Sequence, residues 1–81
     1  MDIYRPVSCS LHSACELAIM RQQRLWVLLV DGRQLEGVGS DMRSRNGAEF
    51  LLLRLDDGGE EALRLDHLVE LRLATTGELL V

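Results

Sequence analysis

The sequence has no lysine, one proline and three aromatic residues, and its longest unbroken apolar run, Leu25–Val30, has six residues. A membrane-spanning helix needs about 20 consecutive apolar residues, so no transmembrane segment is predicted. Three aromatics leave few surfaces on which nucleic-acid bases could stack. Nine arginines against thirteen acidic residues give a net charge of −4. Because nucleic-acid affinity comes largely from neutralised phosphates, this balance argues against direct nucleic-acid binding.

The motifs of common enzyme classes are also missing. Gly37-Val38-Gly39 is not followed by the lysine and helix of a phosphate-binding loop. The acid pairs at 56–57 and 60–61 fall in or beside predicted turns, where carboxylates are usually solvated. His67 follows Asp66 near a strand end, and a lone histidine there is more often structural than catalytic. We therefore expect a protein that is not an enzyme and that needs no cofactor.

The two cysteines, Cys9 and Cys15, form a C-x2-H-x2-C pattern with His12. A structural zinc site takes four such ligands, and the one remaining histidine or cysteine is His67. We expect no metal site and two buried, reduced thiols. The N-terminal residues show no basic segment followed by an apolar one, which would mark a secretory signal. The expected location is the cytoplasm, where disulfides are rare.

A short helix is predicted over residues 10–21. Ser13 and Glu16 have the spacing of a capping box, and Ser10 is a rival N-cap one turn earlier. Residues at positions i, i+3, i+4 and i+7 give the helix an apolar face. Leu17, Ile19 and Met20 broaden that face. Its central members are Leu11, Ala14, Cys15 and Ala18.

From residue 25 onward the pattern is of short strands and turns. Asp31-Gly32 is a strong hairpin signal, since glycine accepts positive φ without steric cost. Gly37 and Gly39 indicate a sharp bend in the second strand. The predicted strands are 25–30, 34–39, 49–55, 61–65, 68–73 and 79–81, with a polar loop over 40–47.

One helix followed by five or six short antiparallel strands predicts a mainly β fold, a small closed or nearly closed barrel with the helix at one end. Eighty-one residues make a single domain, 1–81. Alternation along the strands places a common set of apolar side chains inside the barrel. The predicted core is Leu25, Val27, Leu29, Leu51, Leu53, Val69 and Leu71.

Two resemblances sharpen this interpretation. The segment from Leu25 through Asp31-Gly32-Arg33 to Asp41 resembles the first signature of Sm-like barrels. The second Sm signature, with its basic RNA-facing residues, is absent, and Leu63–Leu68 stands in its place. The ordered set as a whole resembles the Rof family of bacterial Rho-binding antiterminators. That set is Tyr4-x-Pro6-Val7-x-Cys9, Glu16-Leu17-Ala18, Leu25 to Leu35, Ser40-Asp41, Ser44-Arg45, Glu49-Phe50-Leu51 and Leu63-Arg64-Leu65-Asp66-x-Leu68.

The Rof resemblance implies an Sm-like barrel that binds the transcription terminator Rho at its primary RNA-binding site and blocks RNA loading. It implies contacts from the helix start and the loop after the second strand. We expect the free protein to be a monomer. Family members carry several aspartates at the helix start, whereas Ser10–Ser13 has none. An Sm-like RNA-binding barrel and another protein-interaction module remain as alternatives. The positions matching the family contacts are His12, Ser13, Glu16, Arg45 and Asn46.

Overall fold

The computed structural model describes residues 7–80 and shows one N-terminal helix followed by five antiparallel strands in a single sheet. The strand order is β4-β3-β2-β1-β5. The predicted mainly β fold with one helix is confirmed. Residues 1–6 and Val81, the last residue of the predicted strand 79–81, lie outside the described residues. The elements are α1 (Cys9–Met20), β1 (Arg24–Leu29), β2 (Gln34–Arg45), β3 (Ala48–Arg54), β4 (Glu60–Arg64), a 3-10 turn (Leu65–His67) and β5 (Leu68–Leu73).

The helix α1 begins one residue earlier than predicted and uses a different cap. Ser8 has extended backbone (ψ 153°), and its Oγ accepts a hydrogen bond from the backbone N–H of Leu11 at 3.2 Å. Ser10 and Ser13 lie inside the helix, so neither is the N-cap and the predicted capping box is wrong. The sequence signal for this helix start is Ser8, which comes just before the first helical turn. The backbone N–H groups of that turn have no partner within the helix, so a serine hydroxyl at this position can accept from one of them. None of the helices within residues 7–80 has the length and apolar character needed to span a bilayer.

Two tight hairpins build the centre of the sheet. The predicted turn at Asp31-Gly32 is confirmed: Gly32 has φ +89°, and Asp31 Oδ1 accepts from the Arg33 N–H at 3.0 Å. The polar loop predicted over residues 40–47 is wrong, because β2 continues to residue 45. Asn46 and Gly47 make the turn, with φ of 51° and 80°. A turn with positive φ at both residues matches the right-handed twist of the flanking strands. Asparagine and glycine adopt positive φ more readily than other residues, so Asn-Gly is favoured in this turn.

The bend in β2 depends on glycine, as predicted. A Cβ atom on Gly37 would lie 2.2 Å from the carbonyl oxygen of Arg54 on β3. A Cβ atom on Gly39 would lie 3.2 Å from Cγ1 of Ile19, so this glycine lets α1 approach the strand. The register of β2 against β3 shifts between Gly39 and Asp41. The close packing of backbone and helix here leaves no room for larger residues without rearrangement.

The core lies between α1 and the inner face of the sheet. Six of the seven predicted core residues are buried, and the exception is Val69, which is 52% exposed. The register between β1 and β5 shifts there: Leu28 faces Glu70 and Leu29 faces Leu68, which leaves Val69 without a cross-strand partner. A one-residue irregularity of this kind turns a side chain to the other face. Buried residues beyond the predicted set include Leu11, Cys15, Ala18, Leu63 and Leu65.

The last predicted strand is reduced to one bridge, in which Leu79 pairs with Arg72 of β5. The strand β5 therefore has β1 on one side and this C-terminal segment on the other. On β4, the ladder within residues 7–80 is formed with β3 alone. The outer edge of β5 is thus paired with the C-terminal segment at one bridge, whereas β4 pairs with β3 alone within residues 7–80.

Candidate protein-binding site

His12 links the start of α1 to the β2–β3 hairpin. Its Nδ1 lies 2.7 Å from Glu16 Oε1, one turn along the helix, and its Nε2 lies 2.9 Å from Glu49 Oε2 on β3. A neutral imidazole carries one N–H and can donate to just one of these carboxylates, whereas the protonated ring donates to both. The two carboxylates lie near the surface, and Glu16 is 56% exposed. We call His12, Glu16 and Glu49 the acidic cluster.

The predicted helix residues all lie on this side of the molecule. Ser13 and Glu16 are exposed, and His12 is half-buried. Leu17 and Met20 are exposed beside them, although the sequence placed both in the apolar core face. Glu16 and Met20 are four residues apart, as are Ser13 and Leu17, so together they form one exposed helix strip. The strip combines a carboxylate with two apolar side chains, and Met20 is 78% exposed.

Arg45 and Asn46 lie at the tip of the hairpin that carries Glu49. In the β2–β3 register Ser44 faces Glu49 and Arg45 faces Ala48. Since successive strand residues point to opposite faces, Arg45 lies on the face opposite Glu49. There it lines a shallow groove of about 230 Å³ together with Arg43 and Phe50. Among residues 7–80, Arg45 forms no ion pair.

The structure therefore brings the five predicted residues to one end of the molecule but divides them between two faces. The geometry of the turn accounts for an asparagine at position 46, because few residue types tolerate its φ of 51°. The predicted capping role of Glu16 is replaced by the contact with His12. Sequence reasoning missed Glu49, since its pairing with His12 joins segments 37 positions apart.

Most acids elsewhere have partners within the chain. Arg24 bridges Glu36 and Asp56, and Arg33 pairs with Glu61. The Arg24 contact lowers the pKa of Asp56, through the hydrogen bond first and charge attraction second. Each pair neutralises part of the local charge. The acids of the turns are thus less available to a partner than the sequence suggested.

The cysteines do not form a ligand set. Cys15 is buried in the core, but Cys9 is exposed, so the prediction that both thiols are buried is wrong for Cys9. Burial, with a smaller effect of nearby Glu16, raises the pKa of Cys15 to about 11. Within the part of the chain that the structure describes, no three histidine, cysteine or acidic side chains are grouped so that they could hold a metal ion.

Comparison with known proteins identifies relatives along nearly the whole chain. Residues 6–80 match the family model described as modulator of Rho-dependent transcription termination (ROF). Protein rof of Escherichia coli K12 is 31% identical over 80 residues, which cover 99% of this chain and 94% of that protein. Protein rof of Shigella flexneri matches with the same identity and coverage.

Two solved structures share the fold. One, described as YaeO bound to magnesium from Vibrio cholerae O395, has a TM-score of 0.67 and 21% identity, covering 74% of this chain and 78% of that one. The other is XC5848 from Xanthomonas campestris, described as a novel variant of the Sm-like motif. It has a TM-score of 0.54 and 14% identity, covering 90% and 98%. The predicted Sm-like fold is confirmed by this likeness, and the family match shows that the chain belongs to the ROF family of modulators of Rho-dependent transcription termination.

Proposed function

We propose that this chain inhibits Rho-dependent termination by binding the Rho hexamer at its primary RNA-binding site and blocking RNA loading. The start of α1 and the tip of the β2–β3 hairpin form the contact. The action is occupation of a site and involves no catalysis. Family membership supports the involvement of Rho, and the acidic cluster is the observation that carries the mode of binding.

The acidic cluster has the charge that an RNA-binding site attracts. A site that holds phosphates is basic, and the same groups pair with carboxylates. Glu16 and Glu49 lie at the surface and both contact one histidine, whereas Glu36, Asp56 and Glu61 are paired with arginines. The net charge of −4 adds a long-range attraction that speeds encounter with a basic surface.

The other contact residues take different roles. Ser13 extends the polar surface of α1 by one turn, and His12 holds Glu16 and Glu49 in place. Arg45 has a planar guanidinium that can fork onto a carboxylate or carbonyl of Rho. Asn46 sets the hairpin turn and so the position of Arg45.

The free protein acts as a monomer in the cytoplasm and binds no nucleic acid directly. Its acidic balance disfavours phosphate contacts, and its aromatic residues are few. Rho is therefore the partner, and RNA is the competitor.

A titration with purified Rho tests the proposal. Labelled protein is added to Rho with and without C-rich RNA, and binding is followed by fluorescence anisotropy. We expect saturable binding that C-rich RNA displaces. Binding that is unaffected by saturating RNA would place the contact elsewhere on Rho, and absence of binding would reject the proposal. The chain alone, titrated with the same RNA, should show no binding.

A further inference from the structure

Each ring nitrogen of His12 lies against a carboxylate oxygen. Nδ1 is 2.7 Å from Glu16 Oε1 on α1, and Nε2 is 2.9 Å from Glu49 Oε2 on β3. A neutral imidazole has one nitrogen without a proton, and the lone pair of that nitrogen repels a carboxylate oxygen at such a distance. The neutral ring therefore satisfies one contact and opposes the other. Both contacts together fit the protonated ring.

The charge of the acidic cluster depends on the same proton. Two carboxylates and a protonated ring carry a net charge of −1, and with a neutral ring they carry −2. The side chains are exposed to 40% for His12, 56% for Glu16 and 36% for Glu49, so solvent and a partner protein can both reach them. Protonation of the ring thus reduces the negative charge that a basic surface meets at this place.

No other charged side chain lies within ion-pair distance of His12 among residues 7–80. On β2, the residue opposite the cluster's β3 carboxylate is the uncharged Ser44. Strand alternation places Arg43 and Arg45 on the other face of the sheet. Cys9 precedes His12 by three residues on α1, but cysteine thiols ordinarily titrate above pH 8. Between neutral and mildly acidic pH, the state of the cluster therefore follows the ring of His12.

Building on the proposed function, we propose that His12 is a positioning residue that makes Rho binding depend on pH. The protonated ring holds Glu16 and Glu49, and loss of the proton frees one of them for Rho. The basic groups of Rho and the proton on His12 compete for the same carboxylates, so each weakens the binding of the other. Histidine is the side chain that ordinarily changes charge between about pH 5 and 8. Inhibition of Rho therefore strengthens as pH rises through this range.

A pH series of Rho titrations tests this role of His12. His12→Gln keeps an amide that can donate to a carboxylate but cannot take up a proton. His67→Gln is the matched control, because His67 lies in the 3-10 turn beside Asp66 and outside the acidic cluster. Each protein is titrated with Rho by fluorescence anisotropy from about pH 5.5 to about pH 8, after circular dichroism has confirmed that it is folded.

The pH dependence of Rho itself is common to all three proteins, so the comparison isolates His12. Over the series, wild-type affinity should rise about threefold more than that of His12→Gln, the effect of one charge at an exposed contact. His67→Gln should follow the wild type. Equal pH profiles for the wild type and His12→Gln, with Rho bound, would overturn the role of His12 and leave the proposed function standing. Absence of binding at every pH would reject both.

Calorimetry tests the same competition through the proton that is displaced. When Rho takes a carboxylate from the protonated ring, the proton passes to the buffer, and the measured enthalpy then varies with the buffer's heat of ionisation. At about pH 6.5, where histidine is ordinarily half protonated, titrations in phosphate and in imidazole buffer should show that the wild type releases more protons than His12→Gln. Equal release by the two proteins would show that Rho does not compete with the proton on His12 and would overturn the proposal.

Discussion

Two groups of charged side chains use charge in opposite ways. Arg24, at the start of β1, and Arg33, in the hairpin after its end, each pair with acids from another strand or turn. At the end that holds the acidic cluster, two carboxylates share one histidine, and Arg45 has no ion pair within residues 7–80. Exposed ion pairs contribute little to stability, but they reduce the charge that a partner meets. The net charge of the chain therefore does not indicate where a partner binds, whereas under the proposed function the arrangement of pairs does.

The largest effect should follow from breaking the core that supports both groups of charged side chains. Val27 and Leu71 are fully buried and face each other across β1 and β5. Val27→Asp or Leu71→Asp buries a carboxylate without a partner and should abolish folding. Circular dichroism melts check this result. A cooperative melt near the wild-type temperature for either variant would contradict the assignment of this face as the core.

The next effect concerns the bend in β2 at Gly37. Gly37→Ala brings a methyl group to 2.2 Å from the Arg54 carbonyl oxygen, so β2 or β3 must shift. We expect a loss of about 1–3 kcal/mol in the free energy of unfolding, the usual range for overpacking. Urea titration measures it. Gly47→Ala, which has open space around it but φ +80°, separates the clash from backbone strain.

The comparison of the acidic cluster with the arginine-paired acids is tested most directly by Rho binding. Glu16→Lys and Arg45→Glu should each weaken binding at least tenfold, about 1.4 kcal/mol, with melting temperatures within a few degrees of the wild type. Glu36→Lys changes the charge as much as Glu16→Lys, but at a carboxylate that is paired with Arg24, so it should leave Rho affinity nearly unchanged. Titrations at low and moderate salt measure these affinities, and the losses should shrink as salt rises.

If Glu16→Lys and Arg45→Glu both bind like the wild type, the contact lies away from the acidic cluster. In that case the acids near the β3–β4 turn, at 56, 57, 60 and 61, are the next positions to change. A loss with Glu36→Lys as large as that with Glu16→Lys would show that total charge, rather than its arrangement, controls binding.

The smallest effect should be a change in acid stability from the Arg24–Asp56 pair. The hydrogen bond from Arg24 lowers the pKa of Asp56 in the folded protein. A carboxyl whose folded-state pKa is lowered adds stability above its unfolded pKa, and that stability is lost as pH falls through the folded-state pKa. Arg24→Met should therefore lower the melting temperature slightly at neutral pH and have less effect at strongly acidic pH. Melts from neutral to acidic pH measure the difference, and an equal loss at every pH would contradict the pairing.

Much of the fold follows from local patterns in the sequence. Asp31-Gly32 set the first hairpin, alternation placed most of the core, and Gly37 and Gly39 marked the bend, because each depends on residues near in the chain. The errors have local causes as well. Asn46-Gly47 is a hairpin signal, but both residues were included in the predicted polar loop. Ser8 caps the helix, but the two serines that follow it, Ser10 and Ser13, were predicted as the candidate caps.

The position of the candidate site in the fold was predictable in part, while its role in binding stays a prediction. The resemblance to Rof placed its residues on α1 and the β2–β3 hairpin, and the structure brings these elements together through His12. Sequence alone determined the class of fold, the family and the acidic balance, since these follow from composition, periodicity and motif order. Only the tertiary structure decided which acids are paired, which face Arg45 occupies and that Val69 turns outward. Those features depend on strand register and on contacts between distant segments, and neither is encoded in the spacing of neighbouring residues.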